Sequence, residues 1–364
     1  MPIAKSTPID RRLRQFTALF ATGIYLSLTI FVARAAAAPS SEVEKSNSVS
    51  DTSGQNFTFI ISPKFTSADN FVAGLARVKS SPGSKVGYIN KSGEFAISPQ
   101  FTKADNFSDG LAAVELKVHW GYIQPDGKLI IPTRFDRAQG FSESVAAVEL
   151  DGKWGFIDRQ GKIVITPQFT AADSFNQGLA AVEIEGKWGF IDRQGKLIIT
   201  PQFAEAGQFS DGLAKVISPS GLIGFVNLQG KVIIPNQFAE GRDFSEGLAM
   251  VKVNDKYGFI TTTGKIAIAP QFDNAWSFQN GSARVKIGKK YGSIDLKGNW
   301  IASPRWEWTN QCQANTMVVK LGKKYGYANC QGKSIVTPRF DYAEPIVDGL
   351  ALVKQDGKIG YIKF

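Results

Sequence analysis

Few side chains in this sequence are suited to catalysis or metal binding. The 364 residues include one histidine, His119, and two cysteines, Cys312 and Cys330. A serine or cysteine nucleophile usually needs a histidine held beside it, and zinc sites draw on several histidines or cysteines. His119 also falls where most copies of the repeat described below have a lysine, so we interpret it as an exposed turn residue. The sequence therefore predicts no catalytic residue, no metal site and no cofactor.

Acidic residues offer a second route to catalysis, because a pair of carboxylates can hydrolyse a glycosidic bond. Four of them come directly before a Gly-Leu-Ala sequence: Asp109, Asp211, Glu246 and Asp348. All four occupy the same position of the repeat, where a turn residue before glycine explains them. A glycoside-type hydrolase is therefore the least favoured function.

Aromatic residues and lysines form two regular series, which are better candidates for binding. The aromatic series consists of Trp120, Trp154, Trp188, Tyr257, Tyr291 and Tyr325. These rings could stack on sugars, or they could pack as structural residues against neighbouring copies of the repeat, which we favour. The lysine series follows a strand valine in the later copies, where the earlier copies have Glu115, Glu149 and Glu183.

These lysines and the turn lysines near them would form a basic row if the copies lie side by side. The row comprises Lys252, Lys286, Lys289, Lys290, Lys320, Lys323, Lys324 and Lys354. Residues 236–364 contain 18 Lys plus Arg against 11 Asp plus Glu, whereas residues 38–235 contain 19 against 20. Such a row attracts anionic polymers or membrane surfaces. An ordinary solvated face is the alternative.

A repeat of about 34 residues sets the spacing of both series. The glycine after the aromatic residue recurs at positions 87, 121, 155, 189, 224, 258, 292, 326 and 360. Seven of the eight intervals are 34 residues long and one is 35. A proline followed closely by Phe or Trp keeps the same period. Nine copies of one small unit therefore fill the chain from about residue 57 to its end.

The repeated residues resemble those of a known family. Lys-Trp-Gly-Phe-Ile at 187–191, with Gly-Leu-Ala at 178–180 and Pro-Gln-Phe at 201–203, resembles the WG repeat, also called the KWG repeat. The resemblance covers residues 57–364 and implies a repeat scaffold, with no catalytic residues to transfer. Three copies depart from the pattern, with Val86, Ile223 and Ile359 in place of the aromatic residue.

Each copy predicts three short strands. Residues 179–184 alternate in polarity like a half-buried strand, a Glu-Gly turn follows, and residues 188–192 return as the second strand. Residues 197–199 form a third strand, which ends at a proline because proline has no amide hydrogen to donate. Three strands cannot bury both faces alone, so each copy must pack on its neighbours.

Two all-β architectures satisfy this requirement. We predict nine three-stranded copies stacked as an open β-solenoid or superhelix. A closed β-propeller-like ring is the alternative, because residues 57–61 and 359–364 together would complete one unit. A repeat of 34 residues is short for a propeller blade of about 40–45 residues, which favours the solenoid.

The N-terminal segment has the layout of a secretory signal peptide. Basic residues between positions 5 and 14 precede an apolar stretch, 16–32, and a run of alanines, 35–38. An uncleaved membrane anchor is the alternative. We predict three regions: a signal peptide at 1–37, a disordered Ser-rich tether at 38–56 and the repeat array at 57–364.

The two cysteines belong to one copy of the repeat. Cys312 falls at an interior position and Cys330 in the second turn. Disulfides persist in oxidising compartments, so in an exported chain this pair predicts a disulfide. Two free thiols are the alternative.

Together these features predict a non-enzymatic, monomeric repeat scaffold, exported to the periplasm, the cell envelope or the exterior. Its extended surface would bind a protein or an anionic envelope polymer. A carbohydrate-binding module that uses the Trp/Tyr series is the alternative. Nucleic acid is not expected as a partner of an exported protein, and a membrane would be contacted only through an uncleaved signal or the basic row.

Overall fold

The computed structural model describes residues 29–30, 48–50, 56–313 and 315–363. Nine antiparallel sheets follow one another around a ring, so the fold is a nine-bladed β-propeller. The all-β prediction is therefore correct, but the open solenoid of three-stranded copies is wrong. Eight of the nine sheets contain at least four strands. The predicted signal peptide and tether lie almost wholly outside the described residues.

Each blade is an antiparallel meander whose strands are called inner, second, third and outer, in order from the axis of the ring. The inner strands are Ser67–Ala68, Lys103–Ala104, Arg137–Ala138, Ala171–Ala172, Glu205–Ser210, Asn274–Ala275, Trp308–Thr309 and Tyr342–Val347. The second strands, which number the blades 1 to 9, are Ala76–Lys79, Ala112–Leu116, Val145–Leu150, Ala180–Ile184, Leu213–Ile217, Leu248–Val253, Ser282–Ile287, Thr316–Leu321 and Leu350–Gln355. Blade 6 has no inner strand, and a single bridge from Gly241 to Val251 takes its place.

The third and outer strands complete each blade. The third strands are Val86–Ile89, His119–Ile123, Lys153–Asp158, Lys187–Ile191, Ile223–Asn227, Lys256–Thr261, Lys290–Asp295, Lys324–Asn329 and Lys358–Lys363. The outer strands of blades 1 to 8 are Phe95–Phe101, Leu129–Phe135, Ile163–Phe169, Leu197–Phe203, Val232–Phe238, Ile266–Phe272, Trp300–Trp306 and Ser334–Phe340. Two further short strands, Thr29–Ile30 and Ser48–Ser50, pair with Pro125–Asp126 and with the outer strand of blade 9.

Blade 9 closes the ring by joining the two ends of the repeat array. Its outer strand, Asn56–Phe65, pairs with its third strand, Lys358–Lys363. The next seam is closed as well, because the Tyr361 hydroxyl donates to the carbonyl of Asp69 at 2.6 Å. The repeat array begins with an outer strand and ends with a third strand. These two strands pair with each other, and this pairing closes the propeller.

The hydrophobic core lies in the seams between adjacent blades. One cluster joins Phe190 and Ile199 of blade 4 to Phe209 and Val216 of blade 5, and clusters of the same composition recur around the ring. Phe190 and Phe209 meet with their ring centroids 4.9 Å apart. Each blade thus buries its apolar faces against both neighbours, as the strand count of one repeat requires.

The repeated glycine serves its own blade and not the next one. A Cβ on Gly189 would lie 2.4 Å from the carbonyl oxygen of Ile199 and 2.8 Å from the nitrogen of Pro201, both in the outer strand of the same blade. The register between third and outer strands shifts at this point. Glycine is therefore required where the outer strand bulges against the third strand.

The ring has two distinct ends. At one end, called here the hairpin face, tight loops join the second strands to the third strands. These loops lie at 80–85, 117–118, 151–152, 185–186, 218–222, 254–255, 288–289, 322–323 and 356–357. At the other end, called the inner-turn face, turns join the inner segments to the second strands.

Candidate binding surfaces

The structure brings the two predicted series together on the hairpin face. Each ring stands directly opposite a charged residue in the antiparallel register of the second and third strands. The pairs are Glu115–Trp120, Glu149–Trp154, Glu183–Trp188, Lys252–Tyr257, Lys286–Tyr291 and Lys320–Tyr325. The lysine row thus runs across blades 6 to 9, and the glutamates occupy the same place in blades 2 to 4.

In blades 3 and 6, a residue of the inner segment lies beside the pair as a third partner. In blade 3 this inner residue is a cation and the second-strand residue is an anion, and in blade 6 the two charges are exchanged. In blade 3, Arg137 pairs with Glu149 and its guanidinium lies 5.2 Å from the Trp154 ring centroid. In blade 6, Glu240 occupies the inner position and pairs with Lys252 at 2.8 Å. A hydrogen bond from Lys252 and a second one from the Tyr257 hydroxyl lower the pKa of Glu240. The hydrogen bond between Lys252 and Glu240 also raises the pKa of Lys252.

The basic row contains both paired and unpaired lysines. Lys252, Lys290 and Lys324 each lie within 4 Å of a carboxylate. Among the described residues, the other five have no carboxylate partner: Lys286, Lys289, Lys320, Lys323 and Lys354. The ammonium groups of Lys286 and Lys320 lie 5.8 and 5.3 Å from the centroids of tyrosine rings beneath them. The excess positive charge is therefore real but is smaller than the lysine count suggests.

Most rings of the aromatic series are packed into the seams. Trp154 and Tyr257 are buried, and Trp120, Trp188 and Tyr325 are half-buried against the hydrophobic clusters. Cations cover several rings on their outer side. The series is thus chiefly structural, with part of some rings left accessible.

The residues first considered for catalysis are dispersed around the ring. His119 is exposed beside a hairpin loop. The acidic turn residues lie on the inner-turn face with positive φ, and several link adjacent blades: Asp109 accepts from the amide of Ser144, and Asp211 from that of Gly247. Asp348 pairs with Lys91 at 3.0 Å. Within the described ranges, no three His, Cys, Asp or Glu side chains cluster as metal ligands do.

The two cysteines are joined within blade 8. Cys312 and Cys330 form a disulfide, with their Cα atoms 5.5 Å apart. Cys312 is buried in the blade core, at the position where Phe175 and Phe209 lie in other blades.

Charged residues near the axis of the ring were not predicted as a site. Lys215 and Arg284 lie in the second strands of blades 5 and 7, and Arg242 lies in the inner segment of blade 6; Asp173 and Asp243 occupy inner segments of blades 4 and 6. Burial, reinforced by the charge of Asp243, raises the pKa of Asp173 to about 6. In the sequence, these charged residues are departures from the repeat that occur in only a few copies. The repeat pattern is defined by what most of the nine copies share, so it conceals them.

The class of protein is now defined: a β-propeller assembled from nine sequence repeats whose recurring glycine and aromatic residues are chiefly structural. The WG containing repeat matches at residues 54–80, 87–117, 120–154, 154–188, 188–217, 223–257, 257–291 and 325–358. The chain belongs to the WG-repeat family.

One solved structure has a similar fold, and two further matches have lower scores. A eukaryotic initiation factor structure superposes with a TM-score of 0.54 at 13% identity, covering 74% of this chain and 86% of that one. BamB from Moraxella catarrhalis gives 0.41 at 12% identity, covering 84% of this chain and 100% of that one. The designed Ika8 protein gives 0.45 at 10%, covering 83% and 96%. No curated protein matches the sequence. In the part of the chain that the structure describes, no helix has the length and apolar character needed to cross a bilayer.

Proposed function

We propose that this protein is an exported, non-enzymatic binding scaffold whose hairpin face in blades 6 to 9 binds an anionic envelope polymer. The observation that carries this proposal is the set of five lysines without carboxylate partners, spread over neighbouring blades of one face. Like charges that are fixed by a rigid ring create a potential that concentrates polyanions and speeds their association. The repeats supply the spacing along which a polymer can bind several lysines at once.

The distribution of charged residues on the hairpin face favours blades 6 to 9 as the binding region. Glu115 and Glu149 are buried in blades 2 and 3, beneath Lys103 and Arg137. Lys103 and Arg137 are therefore compensated locally. In blades 7 to 9 the corresponding inner residues are Asn274, Trp308 and Tyr342, which carry no charge to offset the lysines.

Export is part of the proposal. The Cys312–Cys330 disulfide suits an oxidising compartment. The basic, apolar and alanine-rich segments at the start of the chain agree with it.

The test measures binding of the mature chain to dextran sulfate, with uncharged dextran as control, at low and high salt. We expect binding to dextran sulfate alone, weakening at least tenfold between 50 and 300 mM salt, because exposed charges are screened. Replacing Lys286, Lys320 and Lys354 together by Glu should abolish it. The matched control replaces Lys117, Lys153 and Lys187, on the same face of blades 2 to 4, and should leave affinity within about twofold. Equal losses in both triple variants would refute the proposal.

A carbohydrate-binding role is the second candidate, and one ring favours it. Trp188 is half-buried. Its inner-strand neighbour is Ala171 in place of a cation, so among the described residues no cation lies over this ring, unlike Trp120 and Trp154. An uncovered tryptophan edge on a rigid face is a platform on which a sugar can stack.

The two candidates separate with neutral oligosaccharides. If sugars bind, tryptophan fluorescence should shift on titration with neutral oligosaccharides, and Trp188→Ala should remove the shift without affecting dextran sulfate. A titration that leaves the fluorescence of the native protein unchanged would exclude the second candidate.

A further inference from the structure

The seam between blades 5 and 6 differs from most others in the ring. Ile223 stands where blades 2 to 4 have tryptophan, and Gly241 stands where seven other blades have alanine. Both replacements remove side-chain volume from the same seam. A cleft of about 340 Å³ opens there, with Ile217 and Met250 in its wall.

Two cations line this cleft without partners. Lys215 is half-buried at a second-strand position that holds alanine in blades 2 to 4, and Arg242 follows Gly241 in the inner segment. Within the described chain, neither side chain has a carboxylate within 4 Å or a hydrogen-bond acceptor. Glu240 also lines the cleft, but Lys252 and the Tyr257 hydroxyl already hold its carboxylate. The cleft therefore has an uncompensated positive charge.

The seam between blades 1 and 2 is a matched comparison inside the same molecule. It also lacks the aromatic residue, with Val86 at the position of Ile223, and it also has a cation, Arg77, at the position of Lys215. There, however, Arg77 pairs with Asp69 at 2.7 Å and lies 3.8 Å from Asp105.

The residues that neutralise Arg77 have no counterpart in the open seam. The position of Asp69 is held by Gly207 in blade 5, and the position of Asp105 is held by Arg242 in blade 6. The nearby Asp243 lies over Gly207, because its Oδ1 atom would lie 2.8 Å from a Cβ on Gly207, but among the described residues it forms no ion pair within 4 Å with Lys215 or Arg242. One seam thus pairs its cation with two carboxylates, and the other leaves both of its cations without a carboxylate within 4 Å.

The next blade shows the same shortage of anions. Arg284 stacks on Trp276, with the guanidinium carbon 3.6 Å from the ring centroid, and donates to the carbonyl of Thr309. Burial lowers the pKa of Arg284 to about 10, and the charge of Arg242 contributes. Arg242 therefore faces a cation on one side and Lys215 on the other.

We propose that the cleft between blades 5 and 6 is a binding site for a small ligand that carries a carboxylate or phosphate group. Arg242 and Lys215 bind the anionic oxygens, the first through its planar fork and the second as a point charge. Ile217, Ile223 and Met250 contact the apolar part of the ligand. The site is independent of the lysine row and goes beyond the polymer-binding role proposed above.

The test is calorimetric titration of the full chain with benzoate, phenyl phosphate and inorganic phosphate. We expect millimolar or tighter binding of at least one aromatic anion, and weaker binding of inorganic phosphate because it lacks an apolar part. Binding of benzoate, phenyl phosphate or both identifies the anion that the site prefers. The absence of heat with all three probes at 10 mM would overturn the proposal.

Two variants copy other seams of the ring and so test the mechanism without new chemistry. Arg242→Asp imitates Asp105 and supplies an internal partner for Lys215, and Ile223→Trp imitates Trp188 and fills the cleft while keeping both cations. Each should reduce affinity at least tenfold, and Lys215→Ala should do the same. Arg77→Ala, in the compensated seam, and the Lys286, Lys320 and Lys354 triple variant should bind as the native protein does. Unchanged affinity in Arg242→Asp and Lys215→Ala would refute the assignment.

Discussion

Seven seams of the propeller and the two seams beside blade 8 are held together differently. In the seven, a third-strand ring meets an aromatic residue of the next blade, with centroids 4.8–5.2 Å apart. Between blades 7 and 8 the corresponding residues are Ser293 and Cys312, and between blades 8 and 9 they are Tyr327 and Ile346. Blade 8 therefore lacks the ring pair on both sides.

Other contacts compensate for the missing rings. The Gln311 amide donates to the carbonyls of Ser277 and Ser282 in blade 7, and the disulfide fixes the interior of blade 8. Even so, a cleft of about 520 Å³ opens between blades 8 and 9, lined by Ile335, Ile346 and other residues. The comparison teaches that a blade without the common ring pairs can be held by a disulfide inside the blade and by hydrogen bonds to a neighbouring blade, with a cleft left at one seam.

The largest effect is expected from removing a ring of the common type. Phe190 is fully buried against Phe209, so Phe190→Ala should lower the free energy of unfolding by about 3–5 kcal/mol through lost contacts and a cavity. Ile346→Ala removes a half-buried side chain beside an existing cleft and should cost less than half as much. Denaturant unfolding measures both. Equal losses would show that the ring pairs do not dominate seam stability.

The second effect concerns the covalent link. Replacing Cys312 and Cys330 by Ser opens a loop with a sequence separation of 18 residues, which should cost about 3 kcal/mol on the chain-entropy account. Because blade 8 lacks the common third-strand ring pair at both of its seams, amide hydrogen exchange should rise mainly within residues 308–340. Treatment of the native protein with a reductant is the control and should reproduce the variant. Acceleration spread evenly around the ring would contradict a local role.

These contrasts also show what the sequence could reveal. The period, the hairpin and the apolar alternation predicted three strands of a blade, because each depends on local pairing. The predicted end of the third strand at Pro201 is wrong, since the outer strand continues to Phe203. The inner strand, for example Ala171–Ala172, has two residues and no pattern of its own, so the repeat seemed too short for a blade. This is one reason why the solenoid was favoured over the ring.

The roles of individual glycines and cations could not be predicted from the sequence, for a different reason. Gly189 is required because the bulge of its own outer strand occupies the space beside it. Bulge geometry follows from the backbone and leaves no period in the sequence. Likewise, Lys215 and Arg242 lie in different repeats, and only the closed ring brings them to one cleft.

The third prediction uses a substitution that blade 8 already contains. Asn310 occupies in blade 8 the inner position that Asp173 holds in blade 4. Burial, with the charge of Asp243, raises the pKa of Asp173 to about 6 from an ordinary value of 3.8. The folded state thus retains a proton that the unfolded chain loses, so this group stabilises the fold below pH 4 and loses that effect as the pH rises through 6.

Asp173→Asn should remove that dependence. The stability of the variant relative to the native protein should increase between pH 4 and pH 7 and then level off. Thermal unfolding across this range measures the difference, and Asp109→Asn, on the inner-turn face, is a control for general carboxylate effects. A difference that does not change with pH would mean that Asp173 is ionised as freely as in the unfolded chain.

The smallest effect comes from restoring the missing ring. Ile346→Phe places in blade 9 the residue type that Phe107 and Phe141 provide beside Tyr88 and Tyr122. A phenylalanine there would reach the buried Tyr327 ring and fill part of the adjacent cleft, so stability should increase by about 0.5–2 kcal/mol. Ile346→Leu adds no ring and should change stability little.

The outcome decides why this seam differs. The inner strand of blade 9 is longer than most and shifts register between Ala343 and Ile346, so its backbone does not repeat that of blades 2 to 4. If the ring stabilises the seam, the missing aromatic residue alone accounts for the cleft. A loss of stability from overpacking would instead assign the cleft to the shifted backbone, because a side chain of the common type would then point to the wrong place.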